Sequence, residues 1–397
     1  MSKLQELINK LCPNGVEFKP LGEVCEIKTG KGITKNDATG GGNYPIISGG
    51  QTPMGYYHEY NRGPKTVTIS RVGAYAGFVS FIEEPFYLND KCFSIIPIND
   101  FQTIINSRFL FHHLKNKEET IKNLQSEGGV PTINTKKVGS IMIPVPPIEV
   151  QEEIVRILDS FSDYAAELQA ELQARKQQYE YYRNLLLTFN PSAYGCGTDD
   201  EQKDGVTTWG GHNYKIQWKK LGEICDNMDK LRKPVTASTR ISGIYPYYGA
   251  SGVVDHVNNY IFDGSYLLIS EDGANLLARS TPIAFSIYGK TWVNNHAHVL
   301  HFNSDVTRKF VEYFINNLDI SKYVSGGAQP KLNQKKLNSI PIPIPPLELQ
   351  EKIVAILDRF ETLVNDLTNG LPAEIAAVKD QYEYYRNKLL TFKKLSA

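Results

Sequence analysis

The chain of 397 residues carries 43 Lys and Arg against 43 Asp and Glu, so its formal net charge is zero. This length is too great for one small core and suits two to four domains. The composition is not that of a disordered or fibrous chain, no run of 18 apolar residues occurs, and no apolar segment follows Met1, so we expect a cytosolic protein without membrane spans.

The first part of the chain predicts an α+β globular domain. A short amphipathic helix begins near Leu4 and ends before Pro13. Short β-like runs separated by Gly, Asn and Pro follow, and Phe109 to Leu114 predict a helix. The β-like runs are 24–27, 44–48, 66–70, 77–82 and 92–97.

Two long helical patterns come next. From 148 to about 189, apolar residues recur at steps of three and four, which predicts a helix of about 40 residues, roughly 60 Å long. A helix of this length needs a packing partner. The expected partner is a second pattern from Leu347 to about Phe392, in which Gly370 favours a helix end and Pro372 can begin a new helix.

The chain is a tandem repeat. Residues 143–159 read IPVPPIEVQEEIVRILD, and residues 342–358 read IPIPPLELQEKIVAILD. Each copy then runs to QYEYYRN, beginning at Gln178 and at Gln381. A repeat this long predicts two structural units of one kind. The expected segments are a globular domain 1–147, a long helix 148–190, a flexible acidic and Gly-rich linker 191–212, a second globular domain 213–346 and a helical region 347–397.

The zero net charge conceals a separation by segment. Residues 1–147 carry 16 Lys and Arg against 13 Asp and Glu, and residues 213–346 carry 15 against 10. The helical segments and the linker are acidic. Because phosphate neutralisation depends on local charge, this distribution permits DNA contact by both globular domains without requiring it.

Sequence motifs for catalysis and cofactor binding are missing. The segment 284–291 nearly spells a phosphate-binding loop, but Ala284 stands where the first Gly belongs. The chain has neither a Gly-x-Gly-x-x-Gly motif nor the Asn-Pro-Pro-aromatic motif of an adenine methyltransferase. We therefore predict no catalytic residue and no cofactor.

A metal site is also not expected. The five cysteines form no CxxC pair and are interpreted as buried apolar residues: Cys12, Cys25, Cys92, Cys196 and Cys225. His296 and His298 would share one face of a strand, but only His301 offers a third ligand nearby. Histidines on a strand surface are the preferred interpretation, so no metal is predicted.

The tyrosines of the repeated QYEYYRN ending admit two interpretations. They could form a platform on which DNA bases stack, or they could pack against another helix. On a helix these side chains point in several directions, and Leu-Leu-x-Phe follows each cluster. Packing is therefore favoured over base stacking, and the repetition indicates a partner protein that docks twice.

Polar side chains between glycines make the loops the candidate binding residues. The first domain offers Lys31, Lys35, Gln51, Arg71, Tyr75 and Lys91, and the second offers Lys230, Arg232, Lys233, Glu271, Asn275, Arg279 and Asn295. For any one of them an ordinary polar turn is an equally good interpretation. Arg71 and Glu271 occupy aligned positions of the repeat. Because Arg favours a guanine edge and Glu can accept from cytosine, the two domains are expected to read different bases.

The doubled IPxPPxExQExIVxILD segment and the doubled QYEYYR ending resemble the specificity subunit of Type I restriction–modification systems, and the resemblance covers essentially the whole chain. It implies two target recognition domains separated by two long antiparallel coiled-coil helices with pseudo-two-fold symmetry. It further implies an asymmetric bipartite double-stranded DNA target, with the helices setting the gap between half-sites. Two methyltransferase subunits would dock on the helices, and restriction or translocase subunits are further partners. The residues assigned to docking are Tyr179, Tyr182, Arg183, Tyr382, Tyr385 and Arg386.

Two other functions compete with a DNA-reading scaffold. The chain could be an adaptor that binds only proteins, with its basic loops facing solvent. It could also be a self-contained modifying enzyme, against which the missing cofactor motifs argue. A salt-sensitive DNA footprint separates the first alternative from a DNA reader, and methyl transfer by the purified chain alone would revive the second.

Overall fold

The computed structural model describes residues 3–34, 36–38, 42–126, 129–189, 205–209, 211–327 and 329–395. The chain divides into two compact units. Unit 1 consists of Met1–Ala170 and Ala373–Ala397, and unit 2 of Glu171–Pro372. The predicted residue Lys35, the residue Cys196 and most of the predicted linker lie outside the described residues.

Unit 1 mixes helices and strands, as expected for an α+β domain. Its elements are α1 (Lys3–Leu11), β1 (Glu17–Pro20), α2 (Leu21–Val24), β2 (Cys25–Thr29), β3 (Tyr44–Ile47), β4 (Tyr56–Tyr57), β5 (Thr66–Ser70), β6 (Val79–Ile82), β7 (Tyr87–Leu88), β8 (Cys92–Pro97), α3 (Ser107–Asn116), α4 (Glu118–Lys122), α5 (Thr135–Gly139), β9 (Met142–Val145), the first part of α6 (Ile148–Leu187) and, after the residues of unit 2, most of a last helix (Leu371–Leu389).

The main sheet of unit 1 has the order β2-β8-β5-β6, with antiparallel neighbours. All five residues of β5 are buried, because strands pair with it on both sides. A second sheet has the order β4-β3-β7, and β1 pairs with β9, the strand of the first IPxP sequence. Apolar side chains of the main sheet, α3 and α5 form one core.

Unit 2 repeats this plan with longer strands. Its elements are the rest of α6, β10 (Gly205–Trp209), β11 (His212–Lys220), β12 (Asp226–Asn227), β13 (Ser242–Gly249), β14 (Gly252–Val257), β15 (Phe262–Ser270), α7 (Asn275–Ala278), β16 (Ala284–Val293), β17 (Ala297–His301), α8 (Asp305–Asn317), α9 (Gln334–Asn338), β18 (Pro341–Ile344), α10 (Leu347–Asn365) and the first residues of α11 (Leu371–Leu389). The sheets have the orders β12-β17-β15-β16-β13-β14 and β10-β11-β18. The sequence that resembles a phosphate-binding loop lies in β16 and therefore forms a strand, not a loop.

The two units share a framework of backbone hydrogen bonds at repeat-matched positions. The central strand is β5 in unit 1 and β15 in unit 2. Backbone groups at the end of this strand, and in the three residues after it, bond to repeat-matched neighbours in both units. The matched bonds are Leu21 N to Ile141 O and Leu221 N to Ile340 O, Ser70 N to Phe78 O and Ser270 N to Ile283 O, Gly73 N to Pro131 O and Gly273 N to Pro330 O, and Ile133 N to Arg71 O and Leu332 N to Glu271 O. The repeat is thus preserved in hydrogen bonding even where the side chains differ.

The helices follow the sequence prediction closely. α6 runs without a break over 40 residues. The second helical region breaks between α10 and α11, as predicted from Gly370 and Pro372. A Cβ at Gly370 would lie 2.4 Å from the Thr362 carbonyl oxygen, so the close approach of the backbone requires Gly there.

Both ends of the chain belong to unit 1. The Val16 N–H donates to the Lys393 carbonyl at 2.9 Å, and the Leu395 N–H donates to the Val16 carbonyl at 2.9 Å. Gly15 precedes this bridge with φ of 109°, and a Cβ there would lie 2.6 Å from the Lys393 oxygen. Glycine is therefore required at the point where the two ends meet.

The cysteines behave as the sequence predicts within the described residues. Cys12, Cys25 and Cys92 are buried, Cys225 is half-buried, and all four are free. Burial raises the pKa of the Cys25, Cys92 and Cys225 thiols to about 12. These side chains are therefore protonated, apolar packing groups.

A buried histidine makes the stability of unit 1 sensitive to acid. Burial, reinforced by the charge of Lys117, lowers the pKa of His113 on α3 to about 4. In the unfolded chain this imidazole takes up a proton near pH 6.5, whereas in the folded unit it stays neutral. Folding free energy is therefore fully retained above pH 6.5 and declines as the pH falls towards 4, by about 3 kcal/mol in total.

We expect a His113→Leu variant to reduce this pH dependence. Urea unfolding followed by circular dichroism at pH 7 and pH 5 measures the change. His58 is the matched control, because its side chain is 60% exposed and its replacement by Leu should leave the pH dependence intact. An unaltered acid dependence in the His113 variant would contradict the assignment.

Among the described residues, no helix combines the length and the apolar character needed to cross a membrane.

Candidate nucleic-acid interface

In unit 1, four loops meet around the side chain of Asn89. The Asn89 amide Nδ2 donates to the Ile33 carbonyl at 2.9 Å, and its Oδ1 accepts from the Lys91 N–H at 3.0 Å. The Asn89 N–H donates to the Ile47 carbonyl, and the Arg71 N–H to the Lys91 carbonyl, both at 2.8 Å. These bonds hold residues 30–34, 48–51, 71–77 and 88–91 together as one surface, which we call loop face 1.

Unit 2 builds the same surface around Asn294. Its N–H donates to the Tyr248 carbonyl at 3.1 Å, and its Oδ1 accepts from the His296 N–H at 2.8 Å. The Glu271 N–H donates to the His296 carbonyl at 2.8 Å, and the Lys233 N–H to the Val293 carbonyl at 3.3 Å. Residues 230–233, 248–252, 271–279 and 293–296 form this surface, loop face 2.

The matching bonds give a residue-by-residue correspondence between the two faces. A lysine occupies the same position in both loop faces. The Lys31 N–H donates to the Leu88 carbonyl, and the Lys233 N–H donates to the matched carbonyl of Val293. Elsewhere the side chains differ. The corresponding pairs are Arg71 with Glu271, Tyr75 with Asn275, and Lys91 with His296.

Most of the residues predicted in the first domain lie on loop face 1. Lys31, Gln51, Tyr75 and Lys91 are exposed. Arg71 is half-buried, and its Nη1 donates to the Asp90 carbonyl at 3.3 Å. The structure therefore brings together five of the six side chains, and Lys35 is not described.

The residues predicted in the second domain fall into two groups. Lys230, Lys233 and Asn295 are exposed. The other four bond within unit 2. Arg279 Nη2 donates to the Ile315 and Leu318 carbonyls near the end of α8, and the Asn275 side chain bonds to the backbone of Thr281.

Arg232 and Glu271 form an ion pair. The Arg232 Nη1 lies 2.7 Å from Glu271 Oε2, and the two side chains are only 12% and 13% exposed. Lys331 Nζ contacts the other carboxylate oxygen at 3.1 Å and is 54% exposed. Sequence reasoning missed Lys331. The available signal was its position directly after the repeated Pro330, where the first copy has Thr132.

Side chains from three segments of unit 2 surround a buried cluster beneath Glu271. Asp229, Glu271 and His298 place their ligand-type atoms within 4.8 Å of one another. Arg232 and Lys331 already contact the two carboxylates, so this cluster is an ion-pair network. Burial alone would raise the pKa of Asp229 and of Glu271, but hydrogen bonds from His298 and Arg232 respectively, with neighbouring positive charges, lower both.

The three histidines considered from sequence do not share a face. His296 is exposed and contacts Asp272 at 2.9 Å, whereas His298 is buried and contacts Asp229 at 2.6 Å. His301 lies 3.8 Å from Asp226. The expectation of strand-surface histidines was wrong for His298, because its strand β17 pairs on both sides within the sheet and that side chain points into the core.

The prediction that tyrosines of the QYEYYRN endings pack on helices is confirmed for the first and third tyrosine of each ending. In unit 2, Tyr182 stacks on Phe360 of α10, with centroids 5.8 Å apart, and Arg183 Nε donates to Asn317 of α8 at 3.1 Å. Tyr179 also packs against Phe360.

Unit 1 repeats these contacts. Tyr385 of α11 stacks on Phe161 of α6 at 5.4 Å, and Arg386 Nε donates to Asn116 of α3 at 3.1 Å. The Tyr382 hydroxyl lies 3.3 Å from His112 Nδ1. Within each unit the repeated ending therefore joins a long helix to the globular part.

The middle tyrosine of each ending faces solvent. Tyr181 is 63% exposed and Tyr384 is 60% exposed. Each packs edge-on against the next tyrosine at 5.3 Å, and those neighbours, Tyr182 and Tyr385, remain 37% and 38% exposed. Sequence reasoning did not select Tyr181 and Tyr384, because the helical pattern alone does not say which tyrosine faces outward.

Comparison with known proteins agrees with this architecture. The family model described as the Type I restriction modification DNA specificity domain matches residues 13–175 and 214–377. The EcoR124I/EcoR124II specificity subunit of Escherichia coli is 28% identical over 99% of this chain and 98% of its own length. A Haemophilus influenzae protein, provisionally named as a type I restriction enzyme specificity subunit, is 38% identical over 46% of this chain and 48% of its own.

Solved structures share the fold. A Type I restriction–modification S subunit from Mycoplasma genitalium has a TM-score of 0.60 at 17% identity, covering 98% of this chain and 99% of that one. A chain from a study of assembly of the type I restriction–modification system has a TM-score of 0.55 at 19% identity, covering 96% and 98%.

The chain has two α+β units, each with one of the two matched loop faces. It is therefore a tandem-domain protein, and the DNA specificity domain model matches it twice. The family match covers most of its length. This chain belongs to the Type I restriction–modification DNA specificity family.

Proposed function

We propose that this chain is the DNA-reading subunit of a Type I restriction–modification complex and recognises an asymmetric, bipartite double-stranded target. The observation that carries the proposal is the pair of loop faces, which share one hydrogen-bond framework but differ at matched side chains. Segments 1–147 and 213–346 would be the two target recognition domains. Catalysis would come from partner subunits, and the site of action would be the cytosol, where the DNA lies.

The retained and the changed positions suit different tasks. Lys31 and Lys233 occupy matched places and are exposed, which suits contacts to phosphate, since these position a protein without reading sequence. At the changed positions, Arg71 suits the acceptors of guanine, and Glu271 suits the amino group of cytosine. Two half-sites with different bases follow from this difference.

The long helices would form an antiparallel coiled coil with pseudo-two-fold symmetry. Contacts inside each unit support this arrangement, because Phe161 in the first half of α6 meets Tyr385 of α11, whereas Tyr182 in the last half of α6 meets Phe360 of α10. In that arrangement the second helical region would run against α6 in the opposite direction. Residues 148–190 would act as the spacer between the recognition domains.

The gap between half-sites should depend on the length of α6. Four residues inserted between Ala165 and Arg175 lengthen a helix by about 6 Å, which corresponds to roughly two base-pair steps at about 3.4 Å each. We expect the gap to change by one or two base pairs while the bases of both half-sites stay the same. Methylome sequencing in cells that express the variant with its methyltransferase measures this.

The same four residues inserted between Pro191 and Asp204, outside α6, provide the matched control and should leave the gap unchanged. New half-site bases with an unaltered gap would count against the helix as the spacer.

The exposed tyrosines would be the surface on which two methyltransferase subunits dock, one on each repeated ending. Tyr181 with Tyr182 and Tyr384 with Tyr385 present the same aromatic pair twice. Matched surfaces suit two identical partners. Restriction or translocase subunits would join through the same complex.

DNA footprinting of the chain with its methyltransferase tests the proposal. We expect protection of two separated segments and an affinity that falls steeply with salt, because Lys and Arg displace counterions from phosphate. Absence of any footprint would indicate an adaptor that binds only proteins. Methyl transfer by the purified chain alone would indicate a self-contained enzyme.

A further inference from the structure

Arg71 and Glu271 each lie directly beyond the central strand of their unit, above a buried side chain of the neighbouring strand. The ladder places Ile69 opposite Phe93 in unit 1 and Ile269 opposite His298 in unit 2. Phe93 is 0% exposed and His298 is 1% exposed. These two buried residues therefore occupy the same position of the repeat, each in contact range of the side chain that differs between the loop faces.

In unit 1 the buried residue is an aromatic ring beneath a cation. The Arg71 guanidinium carbon lies 5.9 Å from the centroid of the Phe93 ring. This distance permits attraction between the guanidinium charge and the negative face of the ring. Arg71 Nη1 also donates to the Asp90 carbonyl at 3.3 Å. A carboxylate in place of Arg71 would lose both interactions.

In unit 2 the buried residue is a hydrogen-bond donor beneath an anion. His298 Nε2 lies 2.8 Å from the Leu332 carbonyl, which can only accept, so this nitrogen carries a proton. His298 Nδ1 lies 2.6 Å from Asp229 Oδ2 and 3.8 Å from Glu271 Oε2. Asp229 itself accepts from the Val299 N–H. The His298 ring thus lies between two acceptors, the Leu332 carbonyl and the Asp229 carboxylate.

The remaining charges around Glu271 reinforce this arrangement. Arg232 from the segment after β12 and Lys331 from the segment before α9 each contact one oxygen of the Glu271 carboxylate. The Asp229 carboxylate contacts both Arg232 and His298. His296 is engaged with Asp272. A guanidinium at this position would face Arg232 and Lys331, and like charges at such distances repel.

We propose that Phe93 and His298 are positioning residues that determine, from beneath, which charge each unit can present to DNA at Arg71 and Glu271. The inference rests on the proposed function. Neither residue is exposed to touch a base. An aromatic ring supports a guanidinium that reads guanine, and a buried imidazole supports a carboxylate that reads cytosine.

Two paired exchanges test the proposal in the complete complex with its methyltransferase. In unit 2 the variants are Glu271→Arg, His298→Phe and both together; in unit 1 they are Arg71→Glu, Phe93→His and both together. Duplexes with each half-site randomised in turn serve as substrates, and sequencing of the methylated products gives the base preference. Thermal unfolding of every variant is recorded alongside.

Each single variant should lose about 10- to 100-fold of methylation at the native sequence, with the preference of the other half-site unchanged. Each double variant should recover about tenfold or more relative to its reader single variant, Glu271→Arg or Arg71→Glu, with a new base preference confined to its own half-site. A merely structural role predicts additive losses and no new preference.

Double variants no better than the reader single variants, or a His298→Phe protein with native preference, would overturn the proposal. Should the unit 2 variants fail to fold, the unit 1 exchange decides. A wild-type complex without base preference in either half-site would instead overturn the proposed function, so the two failures are distinguishable.

Discussion

Replacing residues 1–147 with the corresponding domain of another Type I specificity subunit is expected to change one half of the methylated DNA sequence and leave the other half intact. Loop face 1 is built entirely from residues 30–91, and every bond that holds it stays within unit 1. Loop face 2 has its own equivalent bonds. Methylome sequencing of cells that express the chimera measures the outcome.

The structure adds a requirement to this exchange. An apolar core of unit 1 joins Leu4, Val16 and Phe109 to residues of α6 and to Leu390 beyond α11. Polar contacts also cross the boundary, among them His112 to Asp159 at 2.8 Å and Asn116 to Arg386 at 3.1 Å. An incoming domain should therefore keep apolar residues and a His and an Asn at these places.

A chimera exchanged only between residues 17 and 105, which leaves α1 and α3 in place, is the matched control. It should show the same new half-site with better retained stability. If either chimera altered both half-sites, this would contradict the assignment of one half-site to each loop face.

The second large effect concerns the exposed tyrosines. Replacing Tyr181 and Tyr384 together by Ala should abolish stable association with the methyltransferase, and each single replacement should remove one of two bound subunits. Exposed aromatic side chains of this kind commonly anchor interfaces, and truncation of such an anchor costs about 2 kcal/mol or more, roughly a 30-fold loss of affinity. Native mass spectrometry of the assembled complex reports the stoichiometry directly.

Tyr179→Phe and Tyr382→Phe serve as controls for the docking surface. Their rings contact Phe360 and His112 inside their own units, so loss of a hydroxyl should leave the number of bound subunits unchanged. Because Tyr181 and Tyr384 are more than half exposed, their truncation should lower the stability of the chain itself only slightly. Two methyltransferase subunits on the double Ala variant would rule out this surface.

The long helices were predictable because their signal is local and repeated. Forty residues of apolar periodicity define α6, and the break at Gly370 follows from the missing Cβ of Gly and the fixed φ of Pro372. The predicted strand 66–70 matches β5, and 92–97 matches β8. Where the sequence pattern lies within a single helix or strand, elementary stereochemistry is enough to predict that element.

The side-chain roles in the loops were less predictable, because they depend on groups distant in sequence. Arg279 bonds to carbonyls 36 and 39 residues further on, which nothing near it in the chain reveals. Arg232 meets Glu271 across 39 residues. Lysines such as Lys31 were easier, since a long charged side chain in a Gly-rich loop is exposed under most folds.

The bridge between Val16 and residues 393–395 has a consequence for biosynthesis. Unit 2 is a single continuous stretch, Glu171–Pro372, whereas unit 1 needs residues from both before and after that stretch. At typical rates of synthesis, the 202 residues between the two parts of unit 1, 171–372, take about 10 to 40 seconds to emerge. Unit 1 is therefore completed only after unit 2 has been synthesised. Until then, the apolar residues of unit 1 that pack against residues 382–392 remain uncovered.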